Sequence, residues 1–332
     1  MRYQTALCPD QSNSRGGHNN YSQRLGQWDL YSRSDILVFL KTKAIKLSAK
    51  ILSGSLIAQQ LNQQVAQDIK QRSQQGLRAP AIAVILIGDN RASQIYVRNK
   101  KLACANVGIS IFDYDLPATT TQQQLLNLIA ELNHNPHVDG ILVQLPLPAQ
   151  INSDDILESI DPHKDVDGFH PYNLGRLAQG RPALRPCTPA GVMLLLEHTQ
   201  EKLAGKHAVV IGTSNIVGLP MILELINADV TVTACQSKTT NLVAQVSSAD
   251  ILIVATGNPE LIKGTWIKPG SIVIDVGMNH TEDGKLIGDV EYAVAKNIAS
   301  WITPVPGGVG PMTIASLLRN TLLANINNGF TE

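Results

Sequence analysis

From Ser55 to Leu145 the chain alternates helical periodicity with short apolar runs, a pattern that few architectures can accommodate. Leu61, Val65 and Ile69 recur at the helical interval up to Gly76. Ala81–Ile87 is then an unbroken apolar run, rich in β-branched residues, of the kind buried on both faces of a sheet. Asn90 is placed to cap a helix over residues 92–107 that Gly108 ends. A strand over 109–114, a helix over 122–132 behind Thr119, Thr120 and Thr121, and a strand over 140–145 complete the series. That βαβαβ order predicts parallel strands joined by right-handed crossovers.

Pro146, Pro148 and the stretch 162–171 interrupt the periodicity and read as a hinge between domains. Thr188 followed by Pro189 marks a helix start, because the amide that proline lacks has no partner there. Beyond it, strands are expected over 207–211, 230–234, 250–255 and 271–276, and helices over 220–226 and 241–246. This is the pattern of a nucleotide-binding α/β half. After Pro304-Val305-Pro306-Gly307-Gly308-Val309-Gly310-Pro311 a last helix is expected over 312–325, able to pack back on the first domain. The expected fold class is therefore α/β in two domains, a substrate domain and a Rossmann-like domain with a cleft between them. The substrate domain spans 48–168 plus 311–328, and the Rossmann-like domain spans 169–310.

Length and composition agree. With 332 residues and 44% hydrophobic content each domain can have its own core. Lys plus Arg balance Asp plus Glu at 27 each, so no basic face is offered to a nucleic-acid backbone, and nucleic acid is not an expected partner. Cys8, Cys104, Cys187 and Cys235 are far apart, with no Cys-x-x-Cys pair, so neither a disulfide framework nor a metal site is signalled. They read as reduced thiols of a cytoplasmic protein. No apolar run reaches the roughly 18 residues of a membrane span; the run over 36–40 is strand-length. Residues 1–47, rich in Asn, Ser, Gln, Gly and Arg, read as a disordered appendage. Asp10, Asp29 and Asp35 argue against a transit peptide.

Val209-Val210-Ile211-Gly212 ends a strand, and the residues after it, through Thr213, Ser214 and Gly218, start a helix. In that setting glycines let the backbone approach a pyrophosphate. Ser214 stands where a Gly-x-Gly-x-x-Gly loop has its second glycine, so the loop on its own is a weak signal. The second strand ends in Ala234-Cys235-Gln236-Ser237-Lys238-Thr239 without the acid that an NAD enzyme places on its ribose. The hydroxyl of Ser237 and the ammonium of Lys238 suit a 2′-phosphate, which favours NADP over NAD.

Tyr96 and Lys100 lie four residues apart on a predicted helix and so face the same way. Short-chain dehydrogenases use the same spacing, but there the pair follows the nucleotide loop; here it precedes Gly212, and the order excludes that family. Val143-Gln144-Leu145-Pro146-Leu147-Pro148 leaves the C-terminal end of a strand, where open α/β sheets bind ligands. Asp165-Val166-Asp167-Gly168-Phe169 brings two acids to the hinge, and either carboxylate could point inward. His163 and His170, close by, read as loop residues.

Those segments, with the Gly212 loop and the 304–311 lip, closely resemble the bifunctional methylenetetrahydrofolate dehydrogenase/cyclohydrolase family, from about Lys50 to Leu323. A shikimate-type two-domain dehydrogenase would leave the lip unexplained. The resemblance implies that Lys100 is the catalytic group, that Tyr96 stacks on or near the folate, that Gln144 bonds the lysine, and that Asp167 binds the pterin. Ser93, Leu145, Pro306 and Gly307 join Tyr96 as substrate contacts, and Gly212, Thr213, Ser214, Ser237 and Met278 hold the cofactor. Thr213 and Gln236 depart from relatives that carry arginine and histidine there. The implied chemistry is oxidation of 5,10-methylenetetrahydrofolate by NADP and hydrolysis of the methenyl product to 10-formyltetrahydrofolate, in a homodimer, without a metal. An ordinary lysine is protonated at neutral pH, so Lys100 can act as a base only where burial and a cationic substrate disfavour its charged form.

Overall fold

The computed structural model describes residues 48–281 and 283–328; the expectations for residues 1–47 lie outside the described residues. The chain opens with β1 (Lys50–Ile51) and α1 (Gly54–Gln74), whose first turn is capped by Ser53. Next come β2 (Ala81–Ile87), α2 (Arg91–Val107), β3 (Ser110–Leu116), α3 (Gln122–His134), β4 (Gly140–Val143), α4 (Ser153–Ser159), α5 (Pro171–Ala178) and α6 (Cys187–His198). The second half contains β5 (His207–Ile211), α7 (Gly218–Asn227), β6 (Thr231–Cys235), α8 (Leu242–Ser248), β7 (Ile251–Val254) and β8 (Ile272–Asp275). It continues with β9 (Asn279–His280), β10 (Leu286–Ile287), α9 (Tyr292–Ala295), β11 (Trp301–Ile302) and α10 (Val309–Asn328).

Two parallel sheets result. The first has the order β3-β2-β4, with every residue of the central β2 buried, as its continuous apolar run predicts. The second has the order β1-β11-β8-β7-β5-β6. Its parallel ladder reverses direction of growth at β5, which lies between β6 and β7, so a crevice opens beyond the C-terminal ends of β5 and β7. β9 and β10 form a separate antiparallel pair.

β1 departs from the expected division of the chain. Lys50 and Ile51 pair with Trp301 and Ile302 at the edge of the second sheet, although the residues after them build the first lobe. A two-residue strand has no periodicity to read; only its backbone partner defines it. The 162–171 stretch ends where α5 begins, started by Pro171 behind the His170 cap. α6 begins one residue before Thr188, which leaves Pro189 in the first turn, where a missing amide costs nothing.

α10 packs between α1 and α6 and serves both lobes. Val309, Met312 and Ala315 join the core under the second sheet, whereas Leu317, Leu318, Leu322 and Ala324 join the core under the first. α1 divides likewise, with Ala58 in one core and Val65 and Ile69 in the other.

Candidate active site

The Asn90 side chain accepts the Ser93 amide at 3.0 Å and starts α2, and Gly108 stops it in a left-handed turn at φ 89°. One stripe of the helix, Ser93, Val97, Lys100, Cys104 and Val107, is buried, so the amine of Lys100 sits where a core residue would be expected; the residue is 4% exposed. Three groups surround it. The Lys100 Nζ is 3.4 Å from Gln144 Oε1, 3.9 Å from Asp167 Oδ2, and 4.8 Å from the centroid of the Tyr96 ring, a cation–π distance.

Gln144 arrives from the end of β4, where its amide continues the ladder by donating to Ile85 O at 2.9 Å. Its Nε2 donates to Leu145 O at 2.7 Å, which leaves Oε1 for the lysine. Asp167 is placed by the turn beside that strand, where Asp165 bridges Ile141 and Val166 fills the space over Gly140.

The two hinge acids have different jobs. Asp165 is surrounded by donors, taking Gly168 N at 3.1 Å, Phe169 N at 3.2 Å, and His170 N and Asn173 Nδ2 both at 2.9 Å. It ties the turn and leaves Asp167 to face Lys100. Gly168 turns at φ +77°, and a Cβ there would lie 2.5 Å from the backbone of Arg185 and Pro186.

The charges are arranged in a dry setting. Burial pushes the Asp167 carboxyl above the usual carboxylate range, against the pull of the Lys100 ammonium, and Asp165 adds to the rise. Burial likewise raises the Tyr96 phenol, with the negative charge of Asp167 next, while a hydrogen bond with Thr313 opposes both. His163 and His170 bond to Asp161 and to local backbone, consistent with loop roles.

Three neighbours of this cluster give no signal in the sequence. Cys187 donates its thiol to Val166 O at 3.2 Å, and burial raises that thiol well above its ordinary value, with Asp167 the next cause. Asn320 of α10 donates to Val166 O at 2.9 Å and Arg185 O at 2.8 Å, clasping the Asp167 turn from the far end of the chain. Thr313, one turn into the same helix, also bonds Thr188 at 3.0 Å. Spacing within one segment cannot reveal a partner from another; Thr313 lies close behind the lip and Cys187 next to the Thr188-Pro189 helix start, but neither position points to this cluster.

The lip is built from both ends of the described chain. Gly307 O accepts the Ser55 amide at 3.0 Å, and a Cβ on Gly54 would lie 1.8 Å from Gly308 O. Pro306 is exposed and Gly307 half-buried; Leu145 is half-buried, and Ser93, one turn before Tyr96, is buried. A cavity of about 530 Å³ between α1, α2 and the start of α10 opens on Asn99 and Leu102, on the flank of α2 next to Lys100.

The second crevice is made of backbone. Gly212 leaves β5 at φ +99° with its Cβ position 2.1 Å from Ala255 O, and a Cβ on Gly218 would lie 1.9 Å from Gly212 O. Only glycine fits at either place. α7 starts at Gly218 without a side-chain cap, so its first amides face the Thr213-Ser214 loop. A glycine cradle under an uncapped helix start is the setting that a dinucleotide pyrophosphate requires, and the residues present fit it. Ser237 is exposed beyond β6, one strand from β5, and Met278 is 55% exposed beyond β8, two strands away.

Among the described residues no group of three or more His, Cys, Asp or Glu is disposed to hold a metal ion, and no helix is long and apolar enough to cross a membrane. Two family models match the chain. One describes the tetrahydrofolate dehydrogenase/cyclohydrolase catalytic domain and covers residues 52–167; the other describes the NAD(P)-binding domain of the same enzymes and covers residues 186–328. The structure resembles that of a bifunctional methylenetetrahydrofolate dehydrogenase/cyclohydrolase from Campylobacter jejuni, with 47% identity, a TM-score of 0.83, and coverage of 84% of this chain and 99% of that one. It also resembles a Trypanosoma brucei methylenetetrahydrofolate dehydrogenase-cyclohydrolase solved with NADP and an inhibitor, with 38% identity, a TM-score of 0.82, and coverage of 86% and 99%. A silkworm 5,10-methylenetetrahydrofolate dehydrogenase is 42% identical, with a TM-score of 0.80 and coverage of 85% and 100%.

Proposed function

The chain belongs to the tetrahydrofolate dehydrogenase/cyclohydrolase family, and on that premise we propose that it oxidises 5,10-methylenetetrahydrofolate to the methenyl form with NADP, then hydrolyses that product to 10-formyltetrahydrofolate. The observation that carries this reading is the buried Lys100 amine, bracketed by Gln144, Asp167 and the Tyr96 ring at the end of a parallel sheet.

Bound NADP supplies the hydride acceptor for the first step. Gly212, Thr213 and Ser214 would hold its pyrophosphate near the start of α7, Ser237 and Lys238 would favour a 2′-phosphate, and Met278 would border the site. Tyr96 offers a ring face to the folate, Asp167 binds the pterin end, and Ser93, Leu145, Pro306 and Gly307 line the pocket. The division of labour follows, with 48–168 and 311–328 acting on folate and 169–310 on NADP. Positioning is the main contribution to hydride transfer, since alignment alone can remove several kcal/mol of barrier.

In the second step water adds to the methenyl carbon, which bears positive charge shared with two nitrogens. The Lys100 Nζ takes one proton as the water adds and returns it to the ring nitrogen as the C–N5 bond breaks; the remaining hydroxyl proton leaves to solvent as the carbonyl forms, which discharges the cation and leaves the formyl group on N10. Gln144 Oε1 steers the amine in both directions. On the family resemblance we place the enzyme in the cytoplasm as a homodimer.

Mixing the protein with 5,10-methylenetetrahydrofolate and either NADP or NAD, while following reduced nicotinamide and methenyl absorbance together, tests the reading. We expect faster reduction with NADP and a methenyl signal that rises and then decays. A methenyl signal that only accumulates would leave a dehydrogenase without the hydrolase step.

A further inference from the structure

The loop after β7, Ala255-Thr256-Gly257, forms the second wall of the nucleotide crevice, since Ala255 O is the atom that excludes a side chain at Gly212. That loop has an anchor that the proposed mechanism does not use. Asp289 is fully buried, and its Oδ2 accepts Thr256 N at 2.6 Å, Thr256 Oγ1 at 2.9 Å and Gly257 N at 2.9 Å. Its Oδ1 accepts Asn279 Nδ2 at 2.8 Å, from the residue after Met278.

The carboxylate is itself held. Asp275, at the end of β8, accepts Asp289 N at 3.0 Å, Val290 N at 2.9 Å and Gly277 N at 2.9 Å. The two acids are nested: a Cβ on Gly277 would lie 2.1 Å from Asp289 Oδ1, and one on Gly288 would lie 1.9 Å from Asp275 Oδ2. A carboxylate with four donors, all from crevice walls after β7 and β8, fixes where those walls stand. Among the described residues its side-chain donors are Thr256 and Asn279.

We propose that Asp289 is a positioning residue for the nicotinamide cofactor, holding the 255–257 loop and the Met278-Asn279 segment at the width the bound dinucleotide needs. This rests on the assignment of the Gly212 crevice to NADP. The hydrolase chemistry belongs to the other lobe and needs no cofactor, so the two activities separate a positioning role from a structural one.

The test is to titrate NADP into the wild type, Asp289→Ala, Asp289→Asn and Thr256→Val by calorimetry, and to measure hydrolysis of methenyltetrahydrofolate without cofactor on the same samples. We expect the NADP Kd to rise at least about tenfold in Asp289→Ala, less in Asp289→Asn, and about threefold in Thr256→Val. Hydrolysis should stay within about twofold of wild type throughout. Unchanged affinity, or affinity and hydrolysis falling together, would overturn the proposal. Should Asp289→Ala not fold, Thr256→Val decides alone, because it removes one hydroxyl from the loop side. A wild type that binds no NADP would instead sink the cofactor assignment on which the proposal stands.

Discussion

The two lobes solve the same problem, a ligand held at the open end of a parallel sheet, with different materials. In the first lobe the groups to which we assign the chemistry are side chains in a buried cluster, Lys100 against Gln144, Asp167 and Tyr96. In the second they are backbone amides and bare glycine Cα atoms, and the acids Asp275 and Asp289 hold the surrounding loops in place. Chemistry that moves protons needs titratable groups of tuned character. A doubly charged phosphate bridge needs a shape and oriented dipoles, which the main chain supplies more rigidly.

The contrast can be broken most forcefully at Lys100. Lys100→Met should lower the rate of methenyl hydrolysis by on the order of a thousandfold, the range of a lost acid–base group, while NADP affinity stays at the wild-type value. Stopped-flow decay of the methenyl absorbance together with a cofactor titration would check both halves, and substantial retained hydrolysis would remove Lys100 from its role.

The converse substitution is Gly218→Ala, whose new methyl would meet Gly212 O at 1.9 Å. It should weaken NADP at least about tenfold through displacement of the loop, with a loss of stability of about 1–3 kcal/mol, yet leave cofactor-free hydrolysis nearly untouched. Fluorescence titration of NADP and thermal melting read the two effects.

The effect furthest from the ligands concerns the scaffold acids. Burial pushes the Asp275 carboxyl up to about 6, despite the amides of Asp289, Val290 and Gly277 that favour its charge. Between the ordinary carboxylate range and about 6 the fold therefore keeps a proton that the unfolded chain has released. The contribution is full below that window and declines as pH rises through it, by on the order of 3 kcal/mol. Denaturant melts of wild type and Asp275→Asn from pH 4 to 7 should show the difference in slope, and parallel curves would contradict it.

What could be read from the residues follows the same division. The continuous run of β2 and the caps at Asn90 and Thr121 are local signals, and the elements they predict are present almost to the residue. The convergence of Tyr96, Lys100, Gln144 and Asp167 followed from recognising separate motifs in order, and the structure brings the other three to the Lys100 amine. Asp165 and Asp167 could not be told apart because their difference lies in which backbone amides turn toward them. β1, the β9–β10 pair and Asp289 were illegible for a related reason: each is defined by partners elsewhere in the chain, with no repeat of its own. Asn320 looks like an ordinary polar residue of an amphipathic helix until the loop it clasps is seen.

α10 has a consequence for the order in which the molecule is made. A nascent chain can complete its first three-stranded sheet early, but the helix that fills both cores, clasps the Asp167 turn and extends from the lip follows every other described element in the chain. Until it docks, α1 and α6 expose the apolar faces it will cover, and the Lys100 amine has no finished surroundings. Docking of that helix therefore closes both cores and completes the surroundings of Lys100 together.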